Sequence, residues 1–184
     1  MKIGILHRDI SVNNILLKSH GRATIIDMDL ATRVHRGKTP TEKAIPTGTP
    51  VFRPAKQRHD FLDDLESFLY VYMWIVMSQD GPGTTNRISV KAKFLKARRR
   101  FMRGDSSMNI APYFNSPPYV DLLEALRDLV QRYSSREDVF DDFDAIYAAY
   151  LGHVDRAIER SGSRRRSASC DVEKPAKRAR TSLV

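Results

Sequence analysis

Apolar positions along the chain change rhythm several times. The stretches "NILLKS" (Asn14–Ser19) and "RATIIDM" (Arg22–Met28) are β-branched and apolar. They are separated by a short polar link ending in Gly21, which predicts a small hairpin with the glycine supplying the turn. Just upstream, Ile3–Leu6 reads as the end of an element that has been cut. Thr32–Pro54 is rich in Thr, Gly and Pro without a period and predicts a long loop. Phe61–Met77 is apolar almost all round, the pattern of a buried helix, and "DGPG" (Asp80–Gly83) ends it. A second helix, rich in Lys and Arg, is expected over Val90–Met102. A third is expected after Ser116 as cap, with prolines in its first turn and Val120, Leu123, Leu126 and Val130 on its apolar side. In the last helix Phe143, Ile146, Tyr147, Tyr150, Leu151, Val154 and Ile158 recur every three or four residues as one continuous stripe. Four helices and one hairpin predict an α+β, mainly α chain. Beyond Ser161 the composition turns to Ser, Arg, Lys and Pro, and disorder is expected.

Charge divides the chain in the same place. The net charge is +9, and residues 161–184 hold seven basic and two acidic residues. That tail therefore carries +5, more than half of the excess, which suits a targeting signal or a polyanion contact. Cys170 is the sole cysteine, so no internal disulfide framework exists and a reducing compartment is expected. Phe68–Met77 is too short for a membrane span and is flanked by charge, and the N-terminus has no secretory pattern. These features read as an intracellular protein with no membrane contact, organised as a domain over 1–160 and a disordered basic tail over 161–184.

Candidate chemistry gathers around the hairpin. Asp9 and Asn14 bound the loop that leads into it, and Asp27 follows its second strand. A hairpin brings its ends together, so Asn14 and Asp27 are expected to be neighbours. An amide oxygen and a carboxylate at one point suit Mg²⁺, a hard cation that takes oxygen ligands and shares them with phosphates. Asp9 is then a spare carboxylate available to orient a nucleophile.

The order His7-Arg8-Asp9, Asn14, then Asp27-Met28-Asp29 resembles the protein kinase pattern H-R-D-x-x-x-x-N followed by D-F-G. Downstream, "TGTPVFRP" (Thr47–Pro54) resembles the segment that closes a kinase activation loop. "DDLESFLYV" (Asp63–Val71) resembles the buried helix of casein-kinase-like enzymes. Together with "HRDIS" and "IIDMDLA" these segments most closely resemble the fungal-type protein kinases, over roughly residues 3–160 and most strongly 6–77. The resemblance implies a protein kinase-like large (C-terminal) lobe with the hairpin at its active site. It implies Mg²⁺-dependent transfer of the ATP γ-phosphate to a protein hydroxyl, with Asp9 as base and Asn14 and Asp27 holding metal and nucleotide. It further implies that Arg8 pairs with a phosphorylated loop residue, Thr39, Thr41 and Thr47 being candidates. Thr49 would approach Asp9 and favour Ser/Thr substrates. Asp64 would accept hydrogen bonds from the catalytic-loop backbone, with His7 as its structural companion.

Several features depart from the family pattern. Ser11 stands where many Ser/Thr kinases place a phosphate-contacting Lys, Asp29 replaces the Gly of D-F-G, and "PAK" (Pro54–Lys56) stands where A-P-E is expected. The 184 residues contain no G-x-G-x-x-G and no strand with a V-A-I-K-type Lys. The small lobe and most of the helix before the catalytic loop are therefore read as absent. With Met1 directly before "KIGILHRD", the chain is read as a truncated product or gene model in preference to a free-standing remnant. Alone it is expected to be inactive and to leave part of its apolar core uncovered.

Other signals concern partners. "KAKFLKARRRFMR" (Lys91–Arg103) has seven basic residues and no acidic one. It reads as a solvated helix face or as a dock for an acidic partner or nucleic acid, with too few interleaved aromatics to favour RNA. Arg164, Arg165 and Arg166, then ten residues, then Lys177, Arg178 and Arg180 suit a bipartite nuclear signal read by an import receptor. Ser167 and Ser169 follow the three arginines and resemble sites for a basophilic kinase. The five histidines and Cys170 have no metal-ligand spacing, so no zinc site is expected. The first reading is a kinase large lobe acting on a protein substrate. The rivals are a non-catalytic kinase-like interaction module, possible in the nucleus, and a nuclear polyanion-binding protein resting on charge alone.

Overall fold

The longest apolar run becomes the most buried helix. Phe61–Ser78 (α1) hides Phe61, Leu62, Leu65, Leu69, Tyr70, Met73 and Val76 almost completely. Each such side chain contributes about 1.5–3 kcal/mol by leaving water. Asp60 caps the helix by accepting the Leu62 N–H at 2.9 Å, and Asp63 and Asp64 complement its N-terminal dipole. A computed structural model describes residues 4–18, 22–34, 48–54, 60–81, 90–136 and 142–168.

Three further helices surround α1: Val90–Phe101 (α2), Pro117–Ser134 (α3) and Phe143–Ala168 (α4). α2 and α3 both pack on α1, and α3 packs along α4. The start of α4 meets the start of α1 through aromatic contacts of Phe143 and Tyr147 with Phe61, at ring distances of 4.8 and 5.7 Å. One turn on, the Tyr150 hydroxyl donates to the Leu65 carbonyl at 3.3 Å. Two small antiparallel sheets complete the described residues. Ile15–Leu17 (β2) pairs with Ala23–Ile25 (β3) in the register Ile15↔Ile25, Leu16↔Thr24, Leu17↔Ala23. Gly4–Leu6 (β1) pairs with Thr32–Val34 (β4), with Ile5 opposite Arg33. The chain is α+β and mainly α, as the pattern predicts. No helix among the described residues is long and apolar enough to cross a membrane.

Three expectations need correction. The loop expected from Thr32 begins as a strand, because β1 supplies a hydrogen-bonding edge that the local composition does not reveal. α4 continues from Ser161 through Ala168, where disorder was expected. Propagating an existing helix needs no new nucleus, and Arg and Ala are good helix formers. Leu151 and Ile158 leave the α4 stripe and are 57% and 61% exposed, whereas Ala157 is buried. Ser116 occupies the cap position of α3 as expected, its backbone extended and its side chain making no capping bond.

The displaced Ile158 borders an open apolar groove of about 350 Å³ between α1, α3 and α4. Phe68, Tyr72 and Ile75 form its floor, with Leu122 and Val154 on its walls. An environment-sensitive apolar dye is expected to bind the folded chain here, with the signal reduced by Ile75→Arg. A folded, cooperatively melting chain that leaves the dye dark would contradict this.

Candidate active site

Burial of α1 fixes the first anchor. Asp64 is 7% exposed and accepts the backbone N–H of His7 at 2.6 Å and of Arg8 at 2.9 Å. Burial pushes its carboxyl above the usual carboxylate range, partly offset by those two N–H groups. Arg8 is thereby held at φ 67°, a left-handed conformation that a long side chain seldom adopts. Asp27 is the other described non-glycine residue with positive φ, at 65°. Backbone strain of this kind is retained where the surroundings over-determine it, often at functional sites.

His7 links the two segments that carry the strained residues. Its Nε2 lies 2.9 Å from the Ile26 carbonyl, and its Nδ1 faces the Asp9 N–H at 3.3 Å. A proton on Nε2 and a lone pair on Nδ1 satisfy both contacts. The Ile26 N–H in turn donates to the Asn14 carbonyl at 2.9 Å. The hairpin therefore places Asp27 one residue beyond the backbone contact with Asn14.

The Asp9 carboxylate sits in a ring of donors. Its Oδ1 accepts from the Thr49 N–H at 2.6 Å and from Thr49 Oγ1 at 2.7 Å. Its Oδ2 accepts from Asn14 Nδ2 at 3.2 Å, and the same amide nitrogen reaches the Asp9 carbonyl at 2.9 Å. With its nitrogen committed, Asn14 has its amide oxygen left for a cation. Asp27 is exposed, and its carboxylate has no hydrogen bond or ion pair among the described residues. Two hard oxygen donors of this kind fit Mg²⁺, which takes one or two protein ligands and completes its shell with water and phosphate. Among the described residues no three His, Cys, Asp or Glu side chains converge on a metal position.

The structure thus brings Arg8, Asp9, Asn14 and Thr49 together, with His7 and Asp64 beneath them and Asp27 at the hairpin end. Ser11 is 1% exposed, so no hydroxyl is presented there in place of the absent Lys. Thr39, Thr41 and Thr47 lie outside the described residues, as do Ser169, Lys177, Arg178 and Arg180. Arg164, Arg165, Arg166 and Ser167 lie on α4.

Residues 1–76 match the family model of fungal protein kinases. No curated protein matches the chain. The kinase match ends within α1 and includes every residue of the cluster just described, from His7 to Asp64.

Two contributors escaped the sequence reading. Gly48 has φ +86°, and a Cβ there would lie 2.5 Å from the Arg8 carbonyl and 3.4 Å from Asp9 Oδ1. The segment from Gly48 can lay Thr49 on Asp9 because residue 48 has no side chain. Gly48→Ala is expected to cost about 2 kcal/mol from the forbidden φ and the backbone clash. A chemical melt checks this, and an unchanged midpoint would show that the contact is not constrained. Arg98 of α2 is the second: it donates to the carbonyls of Val51 at 2.7 Å and Arg53 at 3.0 Å while lying 4.5 Å over the Tyr70 ring. Gly48 was legible as part of "TGTP", but nothing in the basic run distinguishes Arg98 from its neighbours except its place on the apolar side of the helix.

Proposed function

We propose that this chain is the large-lobe portion of a protein serine/threonine kinase. Its chemistry is Mg²⁺-dependent transfer of the ATP γ-phosphate to a protein hydroxyl. The observation that carries the proposal is the Asp9 carboxylate, oriented through one oxygen by both donors of Thr49 and through the other by Asn14. The family match over residues 1–76 supports it. Asp9 accepts the proton of the attacking hydroxyl, and Thr49 sits where it can contact that hydroxyl, which favours Ser or Thr over the longer Tyr. Mg²⁺, held by Asn14 and Asp27, supplies positive charge beside the phosphates when bound. His7 and Asp64 hold the loop so that Asp9 needs no reorganisation at the moment of transfer.

A second reading, a non-catalytic kinase-like module, is favoured by what surrounds the hairpin. Leu16, Leu17, Ile25, Ile26 and Met28 flank the site and are exposed, Leu17 by 81%. No Gly-rich phosphate cradle occurs in the 184 residues. The deciding experiment is phosphotransfer from labelled ATP by the chain completed with a Gly-rich lobe. Transfer abolished by Asp9→Asn supports the kinase, and a completed, folded protein that binds ATP without transfer supports the module. Nuclear entry through the basic cluster of residues 164–180 is part of the same proposal and rests on charge spacing alone.

A further inference from the structure

α2 has two faces of opposite character. Phe94, Ala97, Arg98 and Phe101 recur at three- and four-residue spacing and turn inward, with both phenylalanines fully buried. Lys93, Lys96, Arg99 and Arg100 fall on the other side and are exposed, and exposed Arg103 follows in the turn just beyond the helix. The helical part of the stripe, Lys93 to Arg100, runs about 10 Å at 1.5 Å per residue. Its like charges stand three and four residues apart, an arrangement that works against the helix. Among them Arg100 pairs with Asp105, at 2.7 Å. Lys93, Lys96, Arg99 and Arg103 form no ion pair among the described residues.

This face is mechanically joined to the candidate active site. The Thr49 carbonyl accepts the N–H groups of Phe52 and Arg53, at 3.0 and 3.1 Å, making one tight turn. Arg98, on the same helix as the basic stripe, grips the carbonyls of Val51 and Arg53 in that turn. Phe52 packs against Phe94 of α2 and against Trp74 of α1, with ring centres 6.1 and 5.7 Å apart. The turn that lays Thr49 on Asp9 and the helix that carries the cations are therefore one packed unit.

We infer that the exposed face of α2 docks an acidic peptide segment of the substrate, several residues from the hydroxyl presented to Asp9. The assignment of that partner as substrate rests on the kinase reading above. A stripe of about 10 Å matches an extended segment of about three residues, so the recognised element is a short Asp/Glu-rich tract. An acidic protein segment fits better than nucleic acid, because both aromatic rings of α2 are buried and none is available for bases to stack on.

The test is fluorescence anisotropy on the full chain without nucleotide, using a labelled peptide with one Ser followed by a Glu tract. Binding is expected to weaken as salt rises from about 50 mM to about 300 mM. Lys96→Glu/Arg99→Glu/Arg103→Glu is expected to weaken it at least about tenfold, the effect of losing several close charge pairs. The milder Arg99→Gln/Arg103→Gln should show the same direction with no risk to folding. Reversal on another helix, Arg156→Glu/Arg160→Glu, should leave affinity within about twofold. Equal binding by wild type and both α2 variants overturns the inference. So does equal weakening by the α4 reversal, and so does tighter binding of a single-stranded oligonucleotide of equal charge. Because no ATP is present, absent phosphotransfer in the completed enzyme removes the kinase reading and leaves this measurement intact. Absent peptide binding removes the dock and leaves the kinase reading intact.

Discussion

Residues 1–184 alone, given labelled ATP, Mg²⁺ and a generic protein substrate, are expected to transfer no measurable phosphate. The same chain completed by a lobe bearing a Gly-rich loop and its paired Lys is expected to be active. Phosphoryl transfer relies on positioning and electrostatic stabilisation more than on a single reactive side chain. Asp9 is already oriented, with Thr49 and Asn14 on its two oxygens. On the proposed reading, however, the 184 residues hold no Gly-rich cradle for the β- and γ-phosphates, and the hairpin that bears the proposed metal ligands is exposed along Leu16 and Leu17. Loss of one preorganised donor in a charge-stabilising site typically costs about a hundred- to a thousandfold in rate. Two missing elements at that rate multiply to about ten-thousandfold or more, about 5.5 kcal/mol. Buried Ser11 supplies no compensating charge. In the completed protein, Asp9→Asn removes the proposed proton acceptor and Asp27→Asn a proposed metal ligand, and each is expected to lower kcat by at least about a hundredfold. Robust transfer by the isolated chain, lost on Asp9→Asn, would overturn the need for a second lobe. Retention of full activity by the completed Asp9→Asn protein would overturn the assigned base.

What could be read without coordinates followed a physical rule: features set by neighbours in sequence were visible, and features set by distant segments were not. The hairpin was legible because its strands and turn are contiguous, and α1 because a run apolar on all sides has to be buried. β4 was not, since Thr32–Val34 becomes a strand only because Gly4–Leu6 lies beside it. The end of α4 was misjudged from composition, which reports solubility more directly than backbone conformation. At the site, spacing suggested which residues gather. It could not show that Gly48 passes within a methyl group's reach of the Arg8 carbonyl. Nor could it separate Arg98, turned inward onto two carbonyls, from the cations that face solvent.

Asp64 offers the sharpest test of how this site is held. Its two oxygens are divided between the N–H groups of His7 and Arg8. Asp64→Ala leaves both donors without a partner in a buried position, at about 1–3 kcal/mol each, so about 4 kcal/mol of stability is expected to be lost. Asp64→Asn keeps one acceptor and turns an NH₂ toward the other donor, and is expected to cost about half as much. The released loop lets Arg8 relax from φ 67°, which draws Asp9 away from Thr49. Hydrogen exchange at the His7 and Arg8 amides is therefore expected to accelerate in both variants. The pH dependence has a defined sign. Burial raises the Asp64 carboxyl in the folded state, so its favourable contribution is full below the unfolded value of about 3.9 and is lost as pH rises through the raised folded value. The stability gap between wild type and Asp64→Asn is thus widest near the acid end and narrows as pH rises. Chemical melts at several pH values measure it; a gap that widens with pH would show that the two N–H bonds outweigh desolvation, and an Asp64→Ala protein as stable as wild type would show that the loop is held elsewhere.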